Sequence, residues 1–206
     1  MKRFSRGGWL VLGLLFASVL GAQTPQPFSA DMKTSSAKGV LSTGKIYYSA
    51  PKARMEISMQ GQTLVTIYDT ETLTGFTLMP ALNSYLEIDL TQVKSTGKPQ
   101  PSWKPYDASN PCSGLKDATC KDLGAGIADA RPCEKWLIVN AKNKSTMTVW
   151  IDNALHLPIR TETSNGYVVE LTNCKVGAQP EALFAVPAGY TKLSVGGLFG
   201  GAAHNQ

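Results

Sequence analysis

The feature that most constrains this chain is a period of two in its side-chain chemistry. Between Phe28 and Leu90, Gly44, Ile46 and Tyr48 alternate with Lys45, Tyr47 and Ser49, and Met55, Ile57 and Met59 alternate with Arg54, Glu56 and Ser58. Successive side chains of a strand point to opposite faces, so this spacing predicts half-buried strands. Leu64 to Tyr68 continues the series, Thr74, Phe76 and Leu78 share one side of the next strand, and Leu86, Ile88 and Leu90 share one side of the last. Gln60-Gly61-Gln62, Asp69-Thr70-Glu71-Thr72 and Pro80-Ala81-Leu82-Asn83 supply turns between them. Turns at such short intervals join antiparallel meanders and leave no room for βαβ units.

The pattern breaks after Leu90. Residues 94–111 carry Pro99, Pro101, Pro105 and Pro111, a density that no regular element tolerates. Residues 112–130 are small and polar, and we expect one short helix near Ser113–Leu123. Strands resume with Cys133–Asn140, Ser145–Asp152, Leu157–Thr163 and Tyr167–Asn173, the last two joined by Ser164-Asn165-Gly166. Asn-Gly between two such runs is a strong hairpin signal. Pro158 inside its strand implies a sheet edge or a bulge. Pro180–Phe184 reads as one helical turn, Val186–Tyr190 as extended chain, and 193–206 as a frayed tail. About ten strands with few helical residues must curl, close or stack to bury a face.

Residues 1–22 read as an export signal. Lys2, Arg3 and Arg6 precede an apolar run from Trp9 to Leu20, and Gly21-Ala22 supplies small residues before Gln23. The run is shorter than the roughly 20 residues a membrane span needs. Gln23 stands where a lipid-modified cysteine would be required. Taking the three basic residues from the 20 Lys and Arg leaves 17 against 15 acidic residues, about +2. No basic run remains, so nucleic-acid binding is not implied.

Cys112, Cys120, Cys133 and Cys174 all follow the signal. An even count in an exported chain points to disulfides. Cys112 with Cys120 is favoured, because the two bracket a short polar segment. Cys133 and Cys174 then form a second pair, or stay reduced and buried. The spacings match no zinc-ligand pattern, so no metal or other cofactor is implied.

No catalytic constellation is visible. His156 and His204 form no dyad with a nucleophile, and neither GxSxG nor HExxH occurs. Asp152-Asn153 reads as a turn whose side chains satisfy local backbone groups. Arg54 and Glu56 read as a surface pair. Trp136 and Trp150 lie on adjacent strands, as core or cross-strand packing. Trp103, among prolines, either caps a ligand or anchors its own loop.

Two stretches carry a family resemblance. The first runs Gly44-Lys45-Ile46-Tyr47-Tyr48-Ser49-Ala50-Pro51-Lys52-Ala53-Arg54-Met55-Glu56, followed by Ile67-Tyr68-Asp69 and Tyr85-Leu86-Glu87. It resembles the start of the LolA/LolB-like and RseB-like periplasmic lipoprotein-binding superfamily. The second runs from Val149 to Arg160, then Leu183-Phe184 and Pro187-Ala188-Gly189-Tyr190. It is similar to the C-terminal half of exported LolA-like proteins of the DUF4412 type. The resemblance implies a mainly β fold: a curled antiparallel sheet, or incomplete β-barrel, with a short helix or loop plug. It also implies a periplasmic half-barrel domain over 23–192, with 94–130 as the covering loop and Arg54 as the residue that latches the plug.

Within that frame the alternate apolar residues Ile46, Tyr48, Met55, Ile57, Met59, Leu64, Phe76, Leu78, Leu86 and Ile88 are the expected lining of an apolar cavity. The expected function is non-catalytic binding of a lipid or lipoprotein acyl moiety in envelope transport or sensing. The alternative is a sensor or scaffold that binds another envelope protein, with Trp103 and Tyr106 in an exposed patch. A hydrolase on a β scaffold would need a paired carboxylate cleft that the sequence does not display.

Overall fold

The computed structural model describes residues 26–91, 110–113, 115 and 117–194. Twelve strands form one sheet: β1 (Phe28–Ser36), β2 (Gly39–Ser49), β3 (Lys52–Met59), β4 (Gln62–Asp69), β5 (Thr74–Met79), β6 (Ser84–Asp89), β7 (Ala118–Ala128), β8 (Arg131–Asn140), β9 (Thr146–Asp152), β10 (Pro158–Thr163), β11 (Val168–Val176) and β12 (Thr191–Lys192). Their spatial order is β12-β6-β5-β4-β3-β2-β1-β11-β10-β9-β8-β7. Two meanders, β1–β6 and β7–β11, meet where β1 pairs antiparallel with β11. The sheet is curled and unclosed, as expected for an incomplete barrel.

The curl follows from where the core sits. One cluster joins Phe28, Ala30, Ile46, Tyr48 and Ala53 of β1–β3 with Cys133, Trp150, Ile159 and Leu171 of β8–β11 and Leu155 and Leu157 of the β9–β10 turn. These side chains come from seven neighbouring strands, and a flat sheet would hold its two ends too far apart to share one core. Two smaller clusters flank it: Val65, Ile67, Leu78 and Phe184 toward one end, and Ile138, Val149 and Ile151 toward the other.

Turn chemistry matches the expectation at most hairpins. Gln60 and Gly61 both take positive φ, +52° and +80°, the requirement of a two-residue hairpin turn that follows the strand twist. Gly166 closes β10–β11 with φ +83°. Pro158 is not at an edge, because β10 lies between β9 and β11. The register slips between Pro158 and Arg160 instead, so the irregularity takes the bulge form.

The helix expected near Ser113–Leu123 is a correction. Residues 118–128 form β7, an outer strand paired along its length with β8, so the expected covering loop 94–130 ends in part of the sheet itself. Small residues blur the period here, and the register shifts between Asp122 and Ala125, where Gly124 has φ +83°. The β7–β8 turn uses Asp129 and Ala130, both at positive φ, in place of the usual Asn-Gly. Strand pairing with the ten-residue β8 overrides weak local preference. Cys112 and Cys120 are joined, Cα atoms 5.8 Å apart, which ties the chain before β7 to the strand. Of the two alternatives for the remaining cysteines, the second disulfide is not formed: Cys133 and Cys174 are free thiols, the first buried and the second half-buried. The Cys133 Sγ faces the Arg131 carbonyl at 3.3 Å. Burial raises both thiol pKa values, that of Cys174 to about 11, so both are weak nucleophiles.

Residues 1–22, Trp103, Tyr106, His204 and most of the Pro-rich stretch lie outside the described residues. Among the described residues no helix is long and apolar enough to cross a membrane.

Candidate functional site

The ten expected lining residues fall on two faces of the sheet. Directly opposed residues of an antiparallel pair share a face. Ile46 opposes Met55, Met55 opposes Thr66, Thr66 opposes Thr77, and Thr77 opposes Leu86. Ile57 opposes Leu64, and Ile88 opposes Gly75. Eight of the ten therefore share what we call the Met55 face: Ile46, Tyr48, Met55, Ile57, Met59, Leu64, Leu86 and Ile88. Phe76 and Leu78 do not. They oppose Ile67 and Val65, on the face that carries Arg54.

Loop length explains the split. The hairpins from β2 to β6 enclose residues 50–51, 60–61, 70–73 and 80–83, an even number each time. The parity of the residues on one face then flips with every strand. It is even in β2, odd in β3, even in β4 and odd in β5, so Gly75, Thr77 and Met79 hold the places assigned to Phe76 and Leu78. Counting turn residues is the signal that finds them.

The two faces differ in cover. On the Met55 face, Ile46 and Tyr48 are buried in the main core, whereas Met55, Ile57, Leu86 and Ile88 are half-buried. Met59 and Leu64 are 55% and 43% exposed. Small side chains, Thr66, Thr77 and Gly75, lie between these larger ones. From Met59 through Ile88 this strip contains no charged residue.

The Arg54 face of the same strands is sealed by the C-terminal arm. Phe184, in a 3-10 turn at Glu181–Phe184, buries itself against Val65, Ile67 and Leu78. Leu183, Val186 and Tyr190 pack beside it with Phe76 and Tyr85, whose rings meet edge-on at 6.0 Å. Arg54 Nη1 donates to the Leu183 carbonyl at 2.9 Å, and its Nε donates to Glu56 at 2.8 Å. Arg54 thus latches the C-terminal turn, with Glu56 orienting it. Lys52–Glu181 and Lys192–Glu87 ion pairs and the short parallel pairing of β12 with β6 hold the rest.

Elsewhere the chemistry is structural. Asp152 is 1% exposed and accepts from the Ala154 and Leu155 N–H groups at 2.9 and 2.6 Å and from the Arg131 guanidinium. Burial alone would raise its pKa. The guanidinium and the two amides outweigh burial and hold it below the usual carboxylate range. His156 sits in that turn at φ +54°. Trp150 opposes Lys135 whereas Trp136 opposes Val149, so the two indoles are on opposite faces. Lys135 and Arg160 lie 4.6 and 5.3 Å from the Trp150 ring centroid. Two open hollows, of about 370 and 340 Å³, are lined partly by charged groups, among them Lys45 and Lys175 in one and Arg160 and Glu170 in the other. None of the ten expected lining residues borders either.

No family model matches the chain, and no curated protein matches it in sequence. Solved structures do share its fold. An uncharacterized conserved protein from Thermus thermophilus superposes with a TM-score of 0.55 at 13% identity, covering 82% of this chain and 90% of that one. MucB superposes with a TM-score of 0.52 at 16% identity, covering 81% of this chain. A Pseudomonas aeruginosa MucA/MucB complex gives 0.50 at 14% identity over 82% of this chain. The match spans 59% of the MucB chain and 58% of the matched chain in the complex. At these identities the likeness shows the fold alone, a curled antiparallel sheet shared with the Thermus protein and with MucB.

Proposed function

We propose that this chain is a non-catalytic binder of an apolar ligand, the acyl moiety of a lipid or lipoprotein, acting in the cell envelope after export directed by residues 1–22. The observation that carries this reading is the contrast between the two faces of β3–β6. One is sealed by the chain's own arm, and the other keeps an uncharged strip that is exposed at Met59 and Leu64 and half-buried at Met55, Ile57, Leu86 and Ile88. Contiguous apolar surface of this kind marks an interaction site. Methionines at positions 55, 59 and 79 adapt their shape to an irregular apolar partner. Each acyl methylene buried there contributes about 0.8 kcal/mol. The fold shared with MucB is consistent with a binding role.

A second reading is a sensor or scaffold that takes a protein segment on the same strip. The observation behind it is a neighbour of the same fold solved with a protein partner, MucA. Native mass spectrometry on the mature chain from a detergent-free periplasmic preparation, with lipid extraction alongside, separates the two. A discrete adduct of acyl-chain mass that disappears in Ile57→Asp supports the lipid reading. A bare polypeptide mass, with no lipid in the extract, rejects it and leaves the protein partner.

A further inference from the structure

Antiparallel pairing sends alternate hairpin turns to the same end of a sheet. One end of this sheet carries the β1–β2, β3–β4, β5–β6, β8–β9 and β10–β11 turns and the start of β7. The other carries the β2–β3, β4–β5, β7–β8 and β9–β10 turns. Apolar exposure is concentrated at the first. Among the described residues twelve large apolar side chains are exposed, and all but Leu123, Ile127 and Val176 lie within three residues of a turn or of the start of β7 at that end. Val40 is 62% exposed and Tyr167 44%. The row is continuous from strand to strand. Met147 opposes Thr163, Glu162 opposes Val168, Val168 opposes Ser35, and Ser35 opposes Val40. The Ser164 N–H donates to the Thr146 carbonyl at 2.9 Å and joins the β8–β9 and β10–β11 turns.

Charge separates the same two ends. Among the described turn residues of the apolar end the charged ones are Lys38, Lys142 and Lys144 against Asp117. Lys142 holds Asp117 at 2.6 Å. Lys38 and Lys144 are exposed and have no carboxylate partner among the described residues. Glu162, near the end of β10, is paired with Arg160. At the opposite end Glu71 and Asp129 lie in the turns, and Asp69 and Asp89 at the ends of their strands. The cations there are Lys52 and Arg131, each held by a carboxylate, and Lys175.

We infer that the apolar, basic rim is a membrane-docking surface. It rests on a bilayer that carries anionic lipid, with Val40, Leu41 and Tyr167 in the interface and Lys38 and Lys144 at the phosphates, and the acidic end points away. The assignment goes beyond the acyl reading and stands without it. Charge complementarity selects the occupant: apolar side chains beside unpaired lysines suit an anionic lipid surface, and a tyrosine places its ring and hydroxyl at such a boundary. Shape agrees. The exposed residues are spread over successive turns, and neither hollow borders Val40, Leu41, Met147 or Tyr167. A fluid interface meets a spread row of this kind without a matching groove.

The experiment is flotation of the mature chain with vesicles of phosphatidylcholine alone and with vesicles containing about one third phosphatidylglycerol. The chain floats with the anionic vesicles, far less with the neutral ones, and loses partition as salt rises from about 0.05 to 0.5 M. Lys38→Gln with Lys144→Gln lowers partition about 30-fold, about fivefold for each lysine. Val40→Ser with Leu41→Ser lowers it about tenfold or more. Glu71→Lys, at the acidic end, shifts net charge by as much as the lysine pair in the opposite sense, and leaves partition within about twofold. Every substituted side chain is exposed, so the urea midpoint stays that of the parent. A Glu71→Lys gain as large as the loss from the lysine pair assigns binding to net charge and overturns the rim. Failure to float with either vesicle also overturns it, while an acyl adduct in native mass spectrometry is untouched. Intact flotation with no adduct supports docking and removes the acyl reading alone. A dimer that Val40→Ser with Leu41→Ser dissolves, without vesicle binding, makes the rim a contact between copies and overturns the assignment.

Discussion

The two faces of β3–β6 are built by the same strands and the same alternation, and they meet opposite fates. On the Arg54 face, Val65, Ile67 and Leu78 are at most 3% exposed, under Phe184. On the Met55 face, residues of similar hydrophobicity, Met59 and Leu64, remain open. Hydrophobicity along a strand does not decide which face becomes core. What decides it is whether another segment of chain is anchored over that face. Here the anchors belong to the C-terminal arm: the Arg54 bond to Leu183, the β12–β6 pairing and the Phe184 side chain.

The largest effect expected from this contrast comes from placing one charge on each face. Leu78→Asp buries an unpaired carboxylate and costs more than about 4 kcal/mol, so the domain should not fold. Ile57→Asp should leave the urea midpoint nearly unchanged while abolishing retention of an acyl ligand. Equal destabilisation by both substitutions would erase the distinction between the faces. Phe184→Ala comes next. Removing a buried phenyl ring costs about 3–5 kcal/mol, and hydrogen exchange should quicken in the arm and β6 before it does in β8–β9.

Arg54→Gln is smaller. It removes a hydrogen bond to a backbone carbonyl and the pair with Glu56, an effect of about 1–2 kcal/mol. It should loosen the arm without touching the Met55 face. Retention of ligand at unchanged affinity, with faster exchange at Leu183 and Phe184, is the expected pattern.

Acid tests a site away from both faces. The folded pKa of Asp152 is depressed, so its contribution is present above the ordinary carboxylate value of about 3.9 and is lost as pH falls through the folded pKa. The urea midpoint should drop between about pH 5 and pH 2, and this drop should flatten in Asp152→Asn. The strip carries no carboxylate, so acid alters its apolar affinity only as the domain unfolds.

Much of this architecture was legible from the residues. Turn signals and alternation located β2–β6 and β8–β11 to within a few residues, and Asp152-Asn153 was readable as a turn because carboxylates and amides cap local N–H groups. The Cys112–Cys120 pairing followed from proximity in sequence. Two features were hidden for different reasons. β7 is built of small residues whose alternation carries little hydrophobic contrast, and only pairing with β8 makes it a strand. Phe76 and Leu78 group with Met55 and Ile57 by sequence because they are the apolar parity of their own strand.

By itself the sequence determined parity within each strand, since the side-chain period of two is a local property of extended backbone. It thereby determined a β-rich fold with too much apolar surface to stay flat. Only the tertiary structure decided the phase between strands, because register depends on how many residues each turn consumes. The tertiary structure also decided which apolar face would be core, because that required β12 and Phe184 to return more than a hundred residues later and settle on the Arg54 side.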